Sequence, residues 1–342
     1  NNFKGGKQKM KRKIIYFLVI MVYIFASLGI GTAWAAERLV IYVTLAEEDA
    51  RQAISSFEEE TGIEVEWVRL SGGECVARLD AEKVNPQASM WYGGVGLDHI
   101  AAKERGLTIA YESPNTTIIP SKFKDVEHYW TGIYVNPLCF GSNMNRLKEL
   151  GLTPPTSWAD LIKPEYQGHI QVANPGTSGT SYNVLATMVQ LMGEEKAFEY
   201  MKDLHRNIFQ YTRSGSKPLR NASIGEIPIG IGYAGIGSRL VDQGYPVEIT
   251  FPSEGTGYEI AAISLIKGGP QLELAKKLYD WALSEKAAKL YANWFVSPTR
   301  SGIELREGVI PISEVKTIVF DDIWAGKNKT RLVEEWNEKV YR

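Results

Sequence analysis

The chain has 342 residues, of which 44% are hydrophobic and 23% are charged, as in an ordinary globular protein. The formal net charge of -2 at pH 7 gives no reason to expect nucleic acid or an anionic membrane surface as a partner. About 305 residues remain after an N-terminal leader, which is large for one core, so we expect two lobes.

The N-terminal segment has the features of a secretory signal peptide. A basic stretch, Lys7 to Lys13, precedes an apolar run from Ile14 to Gly31, and Ala33-Trp34-Ala35 forms a small-x-small cleavage site. We therefore expect residues 1–36 to be removed by cleavage near Ala35-Ala36, which leaves a periplasmic or otherwise extracytoplasmic protein. The alternative is an uncleaved membrane anchor, since the apolar run is nearly long enough to span a bilayer.

Strand-like and helix-like runs alternate along the remaining chain. Apolar residues at helical spacing predict helices, and short β-branched runs predict strands. This alternation predicts an α/β fold with a mostly parallel sheet that is covered on both faces. The predicted strands are 38–43, 63–68, 133–135, 139–141, 168–172, 226–233 and 258–267, and the main predicted helices are 47–60, 97–105, 184–192, 194–204, 238–243, 272–283, 285–294 and 330–341.

Three segments are rich in serine, threonine and glycine: Ser71–Glu74, Ser178–Ser181 and Thr212–Ser216. The first two precede helical patterns, where unpaired backbone N–H groups and the helix dipole favour an anion. Such loops lie at the carboxyl ends of strands, where open α/β sheets bind ligands. A helix cap with a turn explains any one of them equally well. Three in one chain favour a shared anion-binding cleft.

Three charged residues are candidates for ligand contacts. Arg213 lies inside the third segment, and a guanidinium suits phosphate or carboxylate; the alternative for Arg213 is a solvated loop residue. Glu74 and Glu226 are the acidic candidates for an ammonium or a sugar hydroxyl, and Glu74 is equally suited to a capping box.

The sequence gives little indication of an enzyme. It has no G-x-S-x-G, H-E-x-x-H or Walker-type motif, and its four histidines have no metal-ligand spacing. We therefore expect no catalysis and no cofactor. Cys75 and Cys139 either form a disulfide or remain two buried thiols.

Taken in order, these segments resemble the periplasmic solute-binding proteins of bacterial ABC importers. The subgroup is usually labelled iron(III)-type and includes ferric, phosphonate and sugar-phosphate binders. The resemblance extends over essentially the whole mature chain. The stretches that carry it include 70–74, 91–94, 101–107, 131–135, 157–161, 164–168, 173–182, 211–216, 255–259 and 280–284.

The resemblance implies a two-lobed type II fold, in which two mixed sheets flanked by helices are joined by a two-strand hinge near 133–140 and 257–262. Lobe 1 would comprise 37–136 with 261–310, and lobe 2 would comprise 137–260 with 311–342. The ligand would be captured between the lobes by hinge closure, and the closed protein, a monomer, would dock on a permease with its ATPase.

The resemblance also implies the positions of the ligand contacts. Together with the charged candidates above, the predicted binding residues are Thr44, Leu45, Ser71, Gly72, Gly73, Glu74, Gly93, Gly94, Ser178, Gly179, Thr180, Ser181, Arg213, Ser214, Gly215, Ser216, Glu226 and Tyr233.

One departure from the family pattern concerns the ligand. Ferric binders of this subgroup have two adjacent tyrosines where this chain has Tyr233-Ala234. We therefore expect a small organic phosphate, phosphonate or similar anion. The alternatives are a ferric ion held by Tyr233 and Tyr211, a periplasmic enzyme acting on a phosphorylated substrate, and a sensor of the same fold.

Overall fold

The structure is a computed structural model that describes residues 38–342, so the predicted signal peptide lies outside the described residues. The described chain forms a mixed sheet with helices on its faces, which confirms the predicted α/β class. Because the two long strands β5 and β10 run antiparallel to their neighbours, the sheet is mixed and not mostly parallel. The strands are β1 (Arg38–Val43), β2 (Glu64–Arg69), β3 (Met90–Val95), β4 (Thr108–Ile109), β5 (Thr131–Asn143), β6 (Ile170–Ala173), β7 (Ile208–Thr212), β8 (Ile229–Tyr233), β9 (Val247–Thr250), β10 (Tyr258–Ile266) and β11 (Ser297–Pro298).

The helices follow the predicted apolar periodicity. The first buries Ala50, Ile54 and Phe57 on one face and ends at Gly62, whose φ of 70° suits a residue without a side chain. The helices are α1 (Glu47–Thr61), α2 (Gly72–Ala81), α3 (Gly96–Glu104), α4 (Met144–Leu150), α5 (Gly179–Met192), α6 (Glu194–Asn207), α7 (Lys217–Ser223), α8 (Ala234–Asp242), α9 (Leu272–Ala282), α10 (Glu285–Ala292) and α11 (Asp322–Trp336).

The 13-residue strand β5 connects two groups of strands in the order β2-β1-β3-β10-β5-β8-β6-β7. Up to Pro137 it pairs with β10, whereas from Leu138 onward it pairs with β8. The sequence predicts two short strands separated by Pro137, but one strand continues through it. Proline removes only one ladder donor, and the Leu138 N–H donates to the Gly257 carbonyl oxygen at 2.9 Å, so pairing is maintained.

Two large apolar clusters lie on either side of this connection. One includes Ile41 and Phe57 and packs β1, β3 and β10 against α1, α9 and α10. The other includes Val172 and Trp336 and packs β6 and β8 against α5, α6 and α11. Each fully buried large apolar side chain contributes about 1.5–3 kcal/mol of transfer free energy, so both clusters are substantial cores. The lobe boundaries themselves stay a prediction.

The last long helix, α11, begins at Asp322, earlier than the predicted start at residue 330. Asp321 caps it by accepting a hydrogen bond from the Trp324 N–H at 2.8 Å. The helix packs on α3, where Lys329 forms a buried ion pair with Asp98. This contact fixes α3 behind the site described below.

Two further questions from the sequence concern membrane helices and the cysteines. Between residues 38 and 342, the structure contains no helix of the length and hydropathy needed to cross a bilayer. Cys75 and Cys139 are both buried and unbonded, so the second alternative, two free thiols, describes this chain.

Candidate functional site

A cavity of about 100 Å³ lies where the three predicted anion-binding segments meet the centre of the sheet. Its wall includes eleven of the eighteen predicted binding residues. They are Thr44, Ser71, Gly72, Gly94, Ser178, Gly179, Thr180, Ser214, Gly215, Ser216 and Tyr233.

Two helices begin at the cavity. Ser71 caps α2 in a capping box, in which the Ser71 N–H donates to the Glu74 carboxylate at 3.0 Å. Ser178 caps α5 and accepts a hydrogen bond from the Ser181 N–H at 3.4 Å. First-turn N–H groups have no carbonyl partner within their own helix. The two helix starts therefore bring free donors and two positive dipole ends to one place.

The third segment follows β7 and joins the two helix starts. The Arg213 carbonyl oxygen accepts hydrogen bonds from Thr177 Oγ1 at 3.1 Å and from Ser71 Oγ at 3.4 Å. Ser214 Oγ and Ser216 Oγ lie 3.2 Å apart on the cavity side. The backbone of this segment thus bonds to Ser71 of the first segment and to Thr177, the residue before the second, while the hydroxyls of Ser214 and Ser216 remain at the cavity.

Glycine allows the three segments to approach closely. A Cβ atom placed on Gly215 would lie 2.1 Å from Thr180 Oγ1 and 2.8 Å from Ser178 Oγ. A Cβ atom placed on Gly72 would lie 1.7 Å from an oxygen of Asp98. Neither space admits a larger residue unless these neighbouring groups move.

Arg69 supplies a positive charge that the sequence analysis missed. It is the last residue of β2, two positions before Ser71, and its Nε donates to the Leu45 carbonyl oxygen at 3.0 Å. Its Nη2 lies 3.5 Å from Ser214 Oγ, at the wall of the cavity. Burial lowers the pKa of Arg69 below its usual value, but a guanidinium remains charged at neutral pH. Its position at the carboxyl end of a parallel strand was the signal that could have identified it.

The other side of the cavity is lined by residues of β5, β8 and β10. Glu259 is buried, and this burial raises the pKa of its carboxyl group to about 8. Asn136 Nδ2 donates to Glu259 Oε1 at 3.3 Å, and Asn136 Oδ1 accepts from the Gly235 N–H at 2.9 Å. Tyr233 accepts a hydrogen bond from Asn183 at 2.9 Å, and burial raises its pKa well above the usual value.

A charged cluster connects α1 with α7 and α8 beside the cavity. Arg239 binds Asp49 at 2.7 Å and Glu48 at 2.6 Å, and Arg220 binds Glu48 at 2.5 Å. Burial raises the pKa of Asp49 to about 6, although the Arg239 charge opposes the shift. Asp49 and Arg239 both line the cavity.

The remaining predicted residues lie outside the wall of the cavity. Arg213 is 81% exposed and pairs with Glu74 on the surface, while Glu226 is exposed just before β8. The Tyr211 hydroxyl is hydrogen-bonded to His205 Nδ1 at 2.9 Å, and the Tyr211 ring packs against Trp336. Tyr211 is therefore not brought together with Tyr233. The others outside the wall are Leu45, Gly73, Gly93 and Ser181.

The sequence analysis also missed several lining residues that lie far from the three segments in the chain. Asp98, Asn136, Arg239 and Glu259 reach the cavity only because separate helices and strands pack together there. No local motif distinguishes these residues in the sequence. Their residue types do show that the cavity is polar and carries both signs of charge.

Comparison with known proteins gives the family. A family model described as bacterial extracellular solute-binding protein matches residues 99–311, which is more than half of the chain. An uncharacterised protein of Haemophilus influenzae is 35% identical over 97% of this chain and 99% of its own length. A periplasmic protein of Salmonella typhimurium, for which 2-aminoethylphosphonate binding has been suggested, is 26% identical over 88% of each chain.

The fold comparison agrees with this assignment. The periplasmic binding protein AfuA of Actinobacillus pleuropneumoniae, solved with exogenous fructose-6-phosphate bound, is 37% identical and superposes with a TM-score of 0.87. The match covers 90% of this chain and 99% of that one. The two-lobed type II fold and the family predicted from the sequence are therefore confirmed. The chain belongs to the bacterial extracellular solute-binding proteins, whose members include periplasmic binding proteins of ABC transporters.

Proposed function

We propose that this protein is exported through its N-terminal signal peptide and captures a small phosphorylated or phosphonate compound. It then delivers this ligand, as a monomer, to an ABC permease and its ATPase. The observation that carries the proposal is the meeting of two helix starts, a hydroxyl-bearing loop and Arg69 at one cavity. Backbone N–H groups, hydroxyls and a guanidinium are the donors that suit a tetrahedral oxyanion.

The opposite wall suits the rest of such a ligand. Glu259 and Asn136 offer oxygen acceptors to hydroxyl or ammonium groups, and the Tyr134 ring offers a surface for carbon atoms. Of the three relatives named above, the two whose descriptions name a ligand point to this composition, because fructose-6-phosphate and 2-aminoethylphosphonate each carry hydrogen-bond donors in addition to the phosphorus group. A ligand with a phosphoryl group at one end and hydrogen-bond donors at the other would contact both walls of the cavity.

Capture would involve closure around β5 and β10. We assign lobe 1 to 37–136 with 261–310 and lobe 2 to 137–260 with 311–342, so that both strands cross between lobes. The ion pairs of Arg239 with Asp49 and of Arg220 with Glu48 would then connect the lobes at the edge of the cavity. A permease would select the closed arrangement.

The experiment is a thermal-shift screen of the refolded, ligand-free protein, followed by isothermal titration. The panel holds sugar phosphates, phosphonates, inorganic phosphate, carboxylates and ferric citrate. A ligand at 100 times its Kd stabilises by about 2.7 kcal/mol. We expect stabilisation by phosphoryl compounds alone. A response to ferric citrate only, with a tyrosinate absorption band, would support the ferric alternative, and turnover of a phosphate ester would support an enzyme.

The site is tested by the double substitution Ser178→Ala with Thr180→Ala. Both hydroxyls line the cavity, and a hydrogen bond to a charged group is worth about 1.5–3 kcal/mol, so we expect affinity to fall on the order of 100-fold. Thr177→Ala is the matched control, because that hydroxyl bonds to the Arg213 carbonyl oxygen and does not line the cavity. Equal affinities for the double variant and the control would contradict the proposed site.

A further inference from the structure

We propose that Asp98 accepts a hydrogen bond from a protonated oxygen of the bound phosphoryl group. The site would thereby select singly protonated phosphates or phosphonates over sulfates and sulfonates, which carry no proton at neutral pH. This inference rests on the proposed function, because it concerns the group held by the three segments.

The first observation concerns the burial and the hydrogen bonding of the two Asp98 carboxylate oxygens. Asp98 is fully buried, and it lines the cavity. Lys329 of α11 binds its Oδ1 atom. Its Oδ2 atom has no hydrogen-bond partner in the described chain, although it is shielded from solvent. A buried carboxylate oxygen without a donor is costly, so a donor supplied by the ligand would remove that cost.

The second observation is the location of this oxygen. A Cβ atom on Gly72 would lie 1.7 Å from Asp98 Oδ2, and one on Gly179 would lie 2.3 Å from it. These glycines are the first residues of α2 and α5. The unpartnered oxygen therefore lies close to the two helix starts to which the anion is assigned, and Lys329 binds the other oxygen of the same carboxylate.

A carboxylate at an anion site repels a fully ionised ligand unless a proton lies between the two oxygens. A phosphate monoester loses its second proton with a pKa of about 6, so its singly protonated form still has one O–H donor near neutral pH. The P–O–H group would donate to Asp98 Oδ2, and its other oxygens would accept from the N–H groups and hydroxyls. A sulfate ester has the same shape but no such proton.

Other titratable groups lie around Asp98, and they also affect how ligand affinity depends on pH. Glu259 matters most, because burial raises its pKa to about 8. The pH dependence must therefore be compared between variants that share Glu259. The groups on the elements packed around Asp98 are Lys329 of α11, Cys75 of α2, Tyr182 of α5, Tyr233 of β8 and Glu259 of β10.

The test is isothermal titration of the full chain with two matched pairs of probes: fructose 6-phosphate with fructose 6-sulfate, and inorganic phosphate with sulfate. A site that hydrogen-bonds a ligand O–H discriminates strongly against analogues without it, so we expect the wild type to prefer the phosphate compounds on the order of 100-fold or more at pH 6. Above its second pKa of about 6, the affinity of fructose 6-phosphate should fall by about tenfold per pH unit, because the form with a P–O–H proton disappears.

The double variant Asp98→Asn/Lys329→Met replaces a carboxylate, which can only accept, by an uncharged amide, and it leaves no unpaired buried ammonium. We expect its phosphate preference to fall to within about fivefold, because an amide can also donate to an unprotonated oxygen. Its pH slope should be smaller than that of the wild type. Asp49→Asn is the matched control, since Asp49 is another buried carboxyl of the cavity wall and is already paired with Arg239. This control should change phosphate and sulfate affinity by the same factor.

The outcomes separate this inference from the proposed function. Equal binding of the phosphate and sulfate probes by the wild type would overturn the role of Asp98 and leave phosphoryl capture standing. An unchanged preference in the double variant would overturn it too. Failure of every phosphoryl compound to bind would overturn both. The comparison of probes in the wild type requires no substitution, so the test does not depend on whether the variant folds.

Discussion

Glu259 should make the stability of the protein fall as pH rises. Its pKa is raised from 4.5 to about 8 by burial, so between these values the folded state keeps a proton that the unfolded state releases. The stabilising contribution is complete below pH 4.5 and is lost as pH rises towards 8. At about 1.4 kcal/mol per pH unit, the free energy of unfolding falls by at most about 5 kcal/mol between pH 4.5 and pH 8. Glu259→Gln removes the titration, so we expect its urea stability to exceed that of the wild type increasingly from pH 5 to pH 8.

The difference between wild type and variant in the slope of stability against pH gives the contribution of Glu259 alone. Asp49 also has a raised pKa, of about 6, and contributes to the pH dependence of both proteins. Loss of the hydrogen bond from Asn136 would add a constant offset to the variant and would not alter the slope. Parallel stability curves for the wild type and the variant, measured by urea unfolding at four pH values, would refute the reasoning.

Three further predictions concern the walls of the cavity. Gly179→Ala places a Cβ atom 2.3 Å from an Asp98 oxygen, and we expect about 1–3 kcal/mol of destabilisation by urea unfolding; unchanged stability would contradict this packing. Arg213→Ala removes a surface pair worth about 0–1 kcal/mol, and we expect less than a threefold change in ligand affinity by titration; a tenfold loss would assign Arg213 to the ligand. Arg239→Met leaves the Asp49 carboxylate buried without its cation, and we expect the free energy of unfolding to fall by about 3 kcal/mol at pH 8. The loss should be smaller at pH 5, because the Asp49 carboxyl, with its pKa of about 6, is then protonated. Equal losses at both pH values would contradict this reasoning.

The sequence predicted those parts of the fold that depend on local patterning. The amphipathic run at 47–60 became α1, and the capping serines Ser71 and Ser178 mark the starts of α2 and α5 as expected. The prediction that Pro137 divides a strand was wrong, since the neighbouring ladder bonds maintain β5 through it. A proline excludes one hydrogen bond, and only the neighbouring strands determine whether that exclusion ends the strand.

The residues of the candidate site also fall into two groups, those that local sequence patterns predict and those that only the packing of distant segments brings to the cavity. Serine, threonine and glycine residues next to a helix start are recognisable in the sequence because capping and free N–H groups are local properties. Arg213 has the same sequence context as Ser214, yet its side chain is exposed and pairs with Glu74. Asp98 and Glu259 acquire their importance from burial, which arises when α3 and β10 pack against distant segments.

The glycines of the three segments are best explained by this packing. Gly62 and Gly94 have positive φ, with values of 70° and 88°, so their backbone conformation requires glycine. Gly72, Gly179 and Gly215 are not among the residues with positive φ, yet a Cβ atom on any of them would lie within 2.3 Å of a neighbouring side chain. Glycine is needed there because separate segments must approach one another. A glycine at a helix start beside a capping serine therefore indicates here that another part of the chain packs against that start. This contact brings both helix starts, the third segment and Asp98 together at one cavity.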